Sequence, residues 1–111
     1  MVGMTGAARR ERFPPGDLVG EVVSEDGTRW WFFCPGCKTH HAFTTFPDNP
    51  GRGWTFNGDR KKPTFTPSLL CNQSEPARRC HCYVRDGMIQ FLGDCFHELK
   101  GKTVPVEPPC F

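Results

Sequence analysis

No stretch of this chain is long and apolar enough to span a membrane. Its first residues, MVGMTGAARRERF, carry two arginines ahead of no apolar run, so they do not read as a secretory leader. From both absences a cytoplasmic protein is expected. Charge of one sign is also lacking: the formal net charge is +2, too weak by itself to imply a nucleic-acid partner. Repeats and low-complexity blocks are absent, and Tyr occurs once beside ten Phe and three Trp. At 111 residues there is room for one domain. A domain of that size buries a limited core and often recruits a metal or disulfides. The seven cysteines are an odd number, and cytoplasmic thiols stay reduced, so metal ligation or buried thiols are expected rather than disulfides.

Eleven prolines and twelve glycines cut the chain into short pieces. Residues 1–15 are expected to form a flexible arm, 16–106 a zinc-stapled β domain and 107–111 a tail. Strands are predicted at Leu18 to Ser24, Arg29 to Cys34 and His41 to Phe46, with Asp26-Gly27 as a hairpin turn. Trp54 to Phe56 reads as a short strand within a loop-rich segment from Pro47 to Pro63. PTFTPSLL (63–70) is extended, because proline disfavours helix in the residue before it. The clearest local signal is the hairpin at 80–94, CHCYVRDGMIQFLGD, with Asp86-Gly87 as its two-residue turn. CFHELKG after it predicts one helical turn stopped at Gly101. The expected fold is a mostly β, small single-domain antiparallel structure. It is built around a zinc-ribbon-like site of four cysteines, with one or two short helical turns at most.

CPGC at 34–37 sets two thiolates on one side of a tight turn. Zinc takes four such ligands, at about 2.3 Å per sulfur. A redox CxxC usually opens a helix of a βαβ unit, whereas this one follows a Phe-rich strand and precedes more strand. Hairpin register selects partners. A turn at 86–87 pairs 85 with 88 and 82 with 91, and alternation then puts Cys80, Cys82, Val84, Ile89, Phe91, Gly93 and Cys95 on one apolar face. Cys34, Cys37, Cys80 and Cys95 are therefore the expected ligands of one structural zinc, with Cys82 the main rival. His81 in place of Cys80 is a further alternative. Cys71 and Cys110 read as small hydrophobes. His41 and His97 are open between ligand, outer support and surface; an open zinc that activates water is an alternative to the closed site.

The other hairpin face carries His81 and Asp94 as diagonal neighbours, about 7–8 Å apart at Cα. A carboxylate that fixes an imidazole tautomer is the supporting half of a nucleophilic triad. Ser68, in PTFTPSLL, is the expected nucleophile; Thr66 and Ser74 are the alternatives. On strands, a His beside an Asp is more often a structural pair than a catalytic one.

The pieces FFCPGCKTHH, WTFNG, PTFTPSLL and RCHCYVRDGMIQFLGDCFHELKGKTV, spanning roughly 30–104, resemble a family of small zinc-binding phage and bacterial proteins, some mislabelled as ammonia monooxygenase. The resemblance marks Cys34, Cys37, His41, Trp54, Asn57, Gly58, Pro67, Ser68, Cys80, His81, Asp94, Cys95 and His97. Some members are encoded beside ubiquitin-like conjugation genes. That implies a peptidase processing or removing a ubiquitin-like protein in a bacterial or phage-infected cell, with Ser68, His81 and Asp94 catalytic. Trp54, Asn57, His41 and His97 would then line a groove for an extended peptide tail or support the metal. A different reading is a zinc module that binds nucleic acid through Arg52, Arg60, Lys61, Lys62, Arg78 and Arg79, interleaved with Trp54, Phe56 and Phe65. A solvated basic loop explains those charges better, given the small net charge. A third reading is a non-catalytic protein adaptor.

Overall fold

The computed structural model describes residues 9–49 and 51–109. They form nine strands and, among the described residues, no helix. The strands are β1 (Arg9–Arg12), β2 (Gly20–Ser24), β3 (Gly27–Cys34), β4 (Thr39–Thr45), β5 (Thr55–Phe56), β6 (Phe65–Cys71), β7 (Cys80–Arg85), β8 (Met88–Phe91) and β9 (Thr103–Pro105). They make two antiparallel sheets, in the orders β1-β2-β3-β4 and β5-β6-β7-β8-β9. The mostly β expectation holds. CFHELKG makes hydrogen-bonded turns, Lys100 N–H to His97 and Lys102 N–H to Leu99, in place of a helical turn. β1 falls within the segment expected as an arm, where it pairs with β2. Cys110 lies outside the described residues.

Each sheet gives one face to a shared core. Along β3, Thr28, Trp30, Phe32 and Cys34 are buried and alternate with more exposed neighbours, the period-2 pattern of a strand with one covered face. Cys80, Cys82 and Val84 on β7 and Ile89 and Phe91 on β8 do the same. The abundance of phenylalanine is explained where the sheets meet. Phe43 of β4 stacks on Phe65 of β6 at 4.2 Å between centroids, and Phe65 stacks on Phe56 of β5 at 4.6 Å. Phe32 and Trp54 close around Phe43 at 5.6 Å each. Offset and edge contacts of this kind add to the burial of large apolar surface.

The hairpin register is the one the Asp86-Gly87 turn predicts: Arg85 opposes Met88 and Cys82 opposes Phe91. Both turn residues have left-handed φ, 50° and 76°, as a type I′ turn requires. The ladder stops at that last pair. β6 and β7 are less regular: Phe65 opposes Val84 and Leu69 opposes Cys82, so four steps along β6 face two along β7. Thr66, Pro67 and Ser68 take up the difference as a bulge. Pro67 has no N–H to give the ladder, and proline inside a sheet belongs at such a bulge. No helix among the described residues is long and apolar enough to cross a membrane.

Because Phe43 is fully buried between two sheets, Phe43→Ala is expected to cost about 4 kcal/mol of unfolding free energy. Urea denaturation measures this. A loss below about 1 kcal/mol would mean the aromatic stack does not hold the sheets together.

Candidate functional site

The bulge on β6 aims Ser68 at β7. Leu70 is the cross-strand partner of His81, so Ser68, two residues earlier, shares the outer face with it. Ser68 Oγ lies 3.1 Å from His81 Nε2. On the far side of the ring, His81 Nδ1 lies 3.2 Å from Asp94 Oδ2. A carboxylate only accepts, so Nδ1 carries the proton and Nε2 is left to accept from the Ser68 hydroxyl. The expected nucleophile, imidazole and carboxylate are thus brought into one hydrogen-bonded line. The line sits near the surface: side-chain exposure is 24% for His81 and 42% for Asp94. Of the alternative nucleophiles, Thr66 is exposed opposite Thr55, and Ser74 lies in the exposed loop between β6 and β7.

Trp54 and Asn57 have separate roles. The Trp54 indole N–H donates to the Ser68 carbonyl at 3.1 Å, which ties the bulge to the loop before β5. Asn57 braces its own loop: its side chain donates to the Lys62 carbonyl and accepts from the Asp59 and Thr64 N–H groups.

On the inner side of β7, Cys34, Cys37, Cys80 and His97 bring one donor atom each within 4.8 Å of one another. This group could hold a metal ion. Cys34, Cys80 and His97 are buried and Cys37 is half-buried. This group differs from the expected set in one member: it includes His97 and not Cys95. Extending the hairpin register to Cys95 assumes strands that stay paired past Phe91; only one further bond in register is made, from Leu92 N–H to the His81 carbonyl. Residues 92–95 turn instead, with Cys95 N–H donating to the Leu92 carbonyl. The chain then runs beside Arg79, where Phe96 N–H meets the Arg79 carbonyl. That brings the next residue, His97, to Cys80, with Nε2 3.7 Å from the sulfur. The ring packs edge-on against Phe91 and Phe96. Gly36 makes space for it, since a Cβ there would collide with the imidazole. Glycine inside CPGC beside a later histidine is the one sequence signal for His97, but only folding shows that they touch. Cys82, the rival ligand, is fully buried in the core outside this group.

Electrostatics suit a cation at this place. A hydrogen bond from Cys80 lowers the Cys34 thiol to about 4, against the opposing effect of burial, and the same contact raises Cys80. Burial pushes the Cys37 thiol up. His41, on β4, is disfavoured as a cation by burial, yet hydrogen bonding to Cys34 and Cys71 raises it to about 11. Its Nδ1 lies 3.6 Å from the Cys71 sulfur. Sulfurs that stabilise positive charge on a neighbouring imidazole would do the same for a metal cation.

Five of the six basic side chains considered for nucleic acid have partners within the fold. Arg60 pairs with Glu21 at 2.7 Å, Lys61 with Asp17 at 2.7 Å and Arg78 with Glu75 at 3.2 Å. Arg79 donates to the Gln73 carbonyl, and Arg52 lies over the Phe46 ring.

The model of a family described as bacterial ubiquitination-like system serine protease (BubE) matches residues 6–92, and the chain belongs to that family. The matched span contains Ser68 and His81 and ends two residues before Asp94. The description carries the ubiquitin-like association that the resemblance implied and says nothing of phage. No curated protein and no solved structure matches the chain.

If His97 completes the metal group, Gly36→Ala should weaken metal binding by about tenfold or more, as displaced support of a ligand does. Competition with a chromophoric chelator measures this. Unchanged affinity would remove His97 from the group.

Proposed function

We propose that this member of the ubiquitination-like serine protease family is a peptidase that cleaves the extended tail of a ubiquitin-like protein, with Ser68 as nucleophile. The observation that carries the reading is the line Ser68, His81, Asp94, with hydrogen bonds of 3.1 and 3.2 Å. Ser68 Oγ would attack the scissile carbonyl while His81 Nε2 takes its proton. His81 would then return that proton to the leaving amine as the peptide C–N bond breaks. Water, deprotonated by the same nitrogen, would hydrolyse the acyl-enzyme and regenerate the serine. Asp94 would hold the tautomer and stabilise the imidazolium that forms in each half-reaction.

An extended substrate suits the edge of the sheet. β5 pairs only with Phe65 and Thr66, so Pro67 to Cys71 of β6 have no strand along their outer side among the described residues. A peptide lying there as an added strand would pass Ser68 and the exposed side chain of Leu70.

The metal in this reading is one structural zinc. Three sulfurs and an imidazole are a usual closed set for zinc, and ligands around a tetrahedral ion sit roughly 3.8 Å apart, compatible with the grouping of Cys34, Cys37, Cys80 and His97. When bound, zinc would supply cross-linking of β3, β7 and the segment after β8, and no part of the acyl transfer. Its separation from Ser68 supports this role: Cys80 faces inward while His81, the next residue, faces outward.

The test is cleavage of a bacterial ubiquitin-like precursor carrying a C-terminal extension, followed by mass spectrometry. Ser68→Ala and His81→Ala should each lower kcat/KM by about 10⁴-fold or more, and Asp94→Asn by less because that carboxylate is exposed. If Ser68→Ala and His81→Ala both cleave at the wild-type rate, the triad is wrong.

A further inference from the structure

We infer that Cys95 is a positioning residue for His81, holding the backbone of the residue whose ring Asp94 holds. The inference rests on the peptidase reading above for its effect on rate, but its geometry stands apart from it. The β7–β8 strand pairing ends with Cys82 opposite Phe91; beyond it one bond in register remains, from Leu92 N–H to the His81 carbonyl, and the His81 N–H goes to a side chain instead. The His81 peptide groups are nevertheless satisfied. His81 N–H donates to Cys95 Sγ at 3.2 Å, and the Cys95 thiol donates to the His81 carbonyl at 3.1 Å. The same carbonyl also accepts from Leu92 N–H at 2.9 Å. The thiol therefore takes the place of the facing carbonyl as acceptor for His81 N–H, and adds a second bond to the carbonyl that Leu92 N–H already serves. Sulfur's long reach suits the position, because residues 92–95 turn away from β7 rather than continuing beside it.

Three further observations favour this role. Cys95 is buried, at 4% exposure, so the contact is shielded from competing water. It is not among the mutually close possible metal donors Cys34, Cys37, Cys80 and His97. And it adjoins Asp94 in sequence, so one dipeptide grips His81 at two points, the ring at Nδ1 and the backbone at N–H and carbonyl. Fixing the backbone fixes where the ring can swing, and small displacements of a catalytic group lower rate far more than they alter binding.

The experiment compares wild-type, Cys95→Ala, Cys95→Ser and Ser68→Ala proteins, each loaded with zinc, for precursor cleavage, zinc content and hydrogen exchange at the His81 amide. Cys95→Ala should lower kcat by roughly 10- to 100-fold at nearly unchanged KM, keep one zinc per chain, and speed exchange of the His81 amide. Cys95→Ser, which can still donate and accept, should recover part of both kcat and protection. Loss of zinc in both Cys95 variants would show a ligand and overturn the inference. So would unaltered kcat and amide protection in Cys95→Ala. Should the alanine variant fail to fold, Cys95→Val, which fills the site but can neither donate nor accept, decides: kcat and protection equal to wild type would overturn the inference, and reduced values with full zinc would support it. Ser68→Ala separates the two claims. If it cleaves at the wild-type rate, the peptidase reading falls, while the His81 amide result still judges the contact.

Discussion

Consecutive residues of a β-strand point to opposite faces, and Cys80 and His81 are consecutive on β7. The organisation of the site depends on that constraint. Cys80 turns inward to the cluster of sulfurs and His97, and His81 turns outward to Ser68 and Asp94. A metal gripped from the inside would thus fix the height and tilt of the strand that presents the imidazole on the outside. The two centres lie on opposite faces of one strand and share its backbone. That couples stability to geometry without sharing any atom of the chemistry.

The other half of the outer line needs a departure from regular pairing. A regular β6–β7 ladder has no reason to lift a serine toward a histidine two residues along. The bulge at Thr66 to Ser68 supplies it, and Trp54 secures the Ser68 carbonyl from the neighbouring loop. Bulges commonly re-aim side chains next to functional sites. The aromatic stack of Phe43, Phe65 and Phe56 adjoins this bulge, so packing between the sheets anchors the strand that carries Ser68 from its buried face.

Much of this is legible in the residues, and the limits have physical causes. Asp86-Gly87 sets a two-residue turn, and from it the pairing of Cys82 with Phe91 and the opposite facing of Cys80 and His81 follow by counting. Counting fails where pairing ends. Nothing in FLGDCFHELK states that the ladder stops at Phe91, so counting carries Cys95 onto a face that the chain has already left, and gives His97 no firm role. The choice depends on a long-range contact, the approach of His97 to Gly36 in CPGC, which local pattern does not encode. Ser68 is identifiable as a hydroxyl on a rigid segment, but its distance to His81 requires the bulge, and the bulge requires knowing which strands are neighbours. The basic segment around Arg60 to Lys62 illustrates the reverse case: its charges look available in sequence, yet Arg60 and Lys61 are engaged with Glu21 and Asp17 in the fold.

On the proposed reading, a metal-clamped strand presents an activated Ser68. The most direct measurement is reaction with a fluorophosphonate probe, with the modified residue located by peptide mapping before and after chelation. A single adduct on Ser68 is expected in the zinc-loaded protein, lost on chelation and regained when zinc is restored. An adduct on another residue, no adduct at all, or labelling of Ser68 that is indifferent to chelation would contradict it.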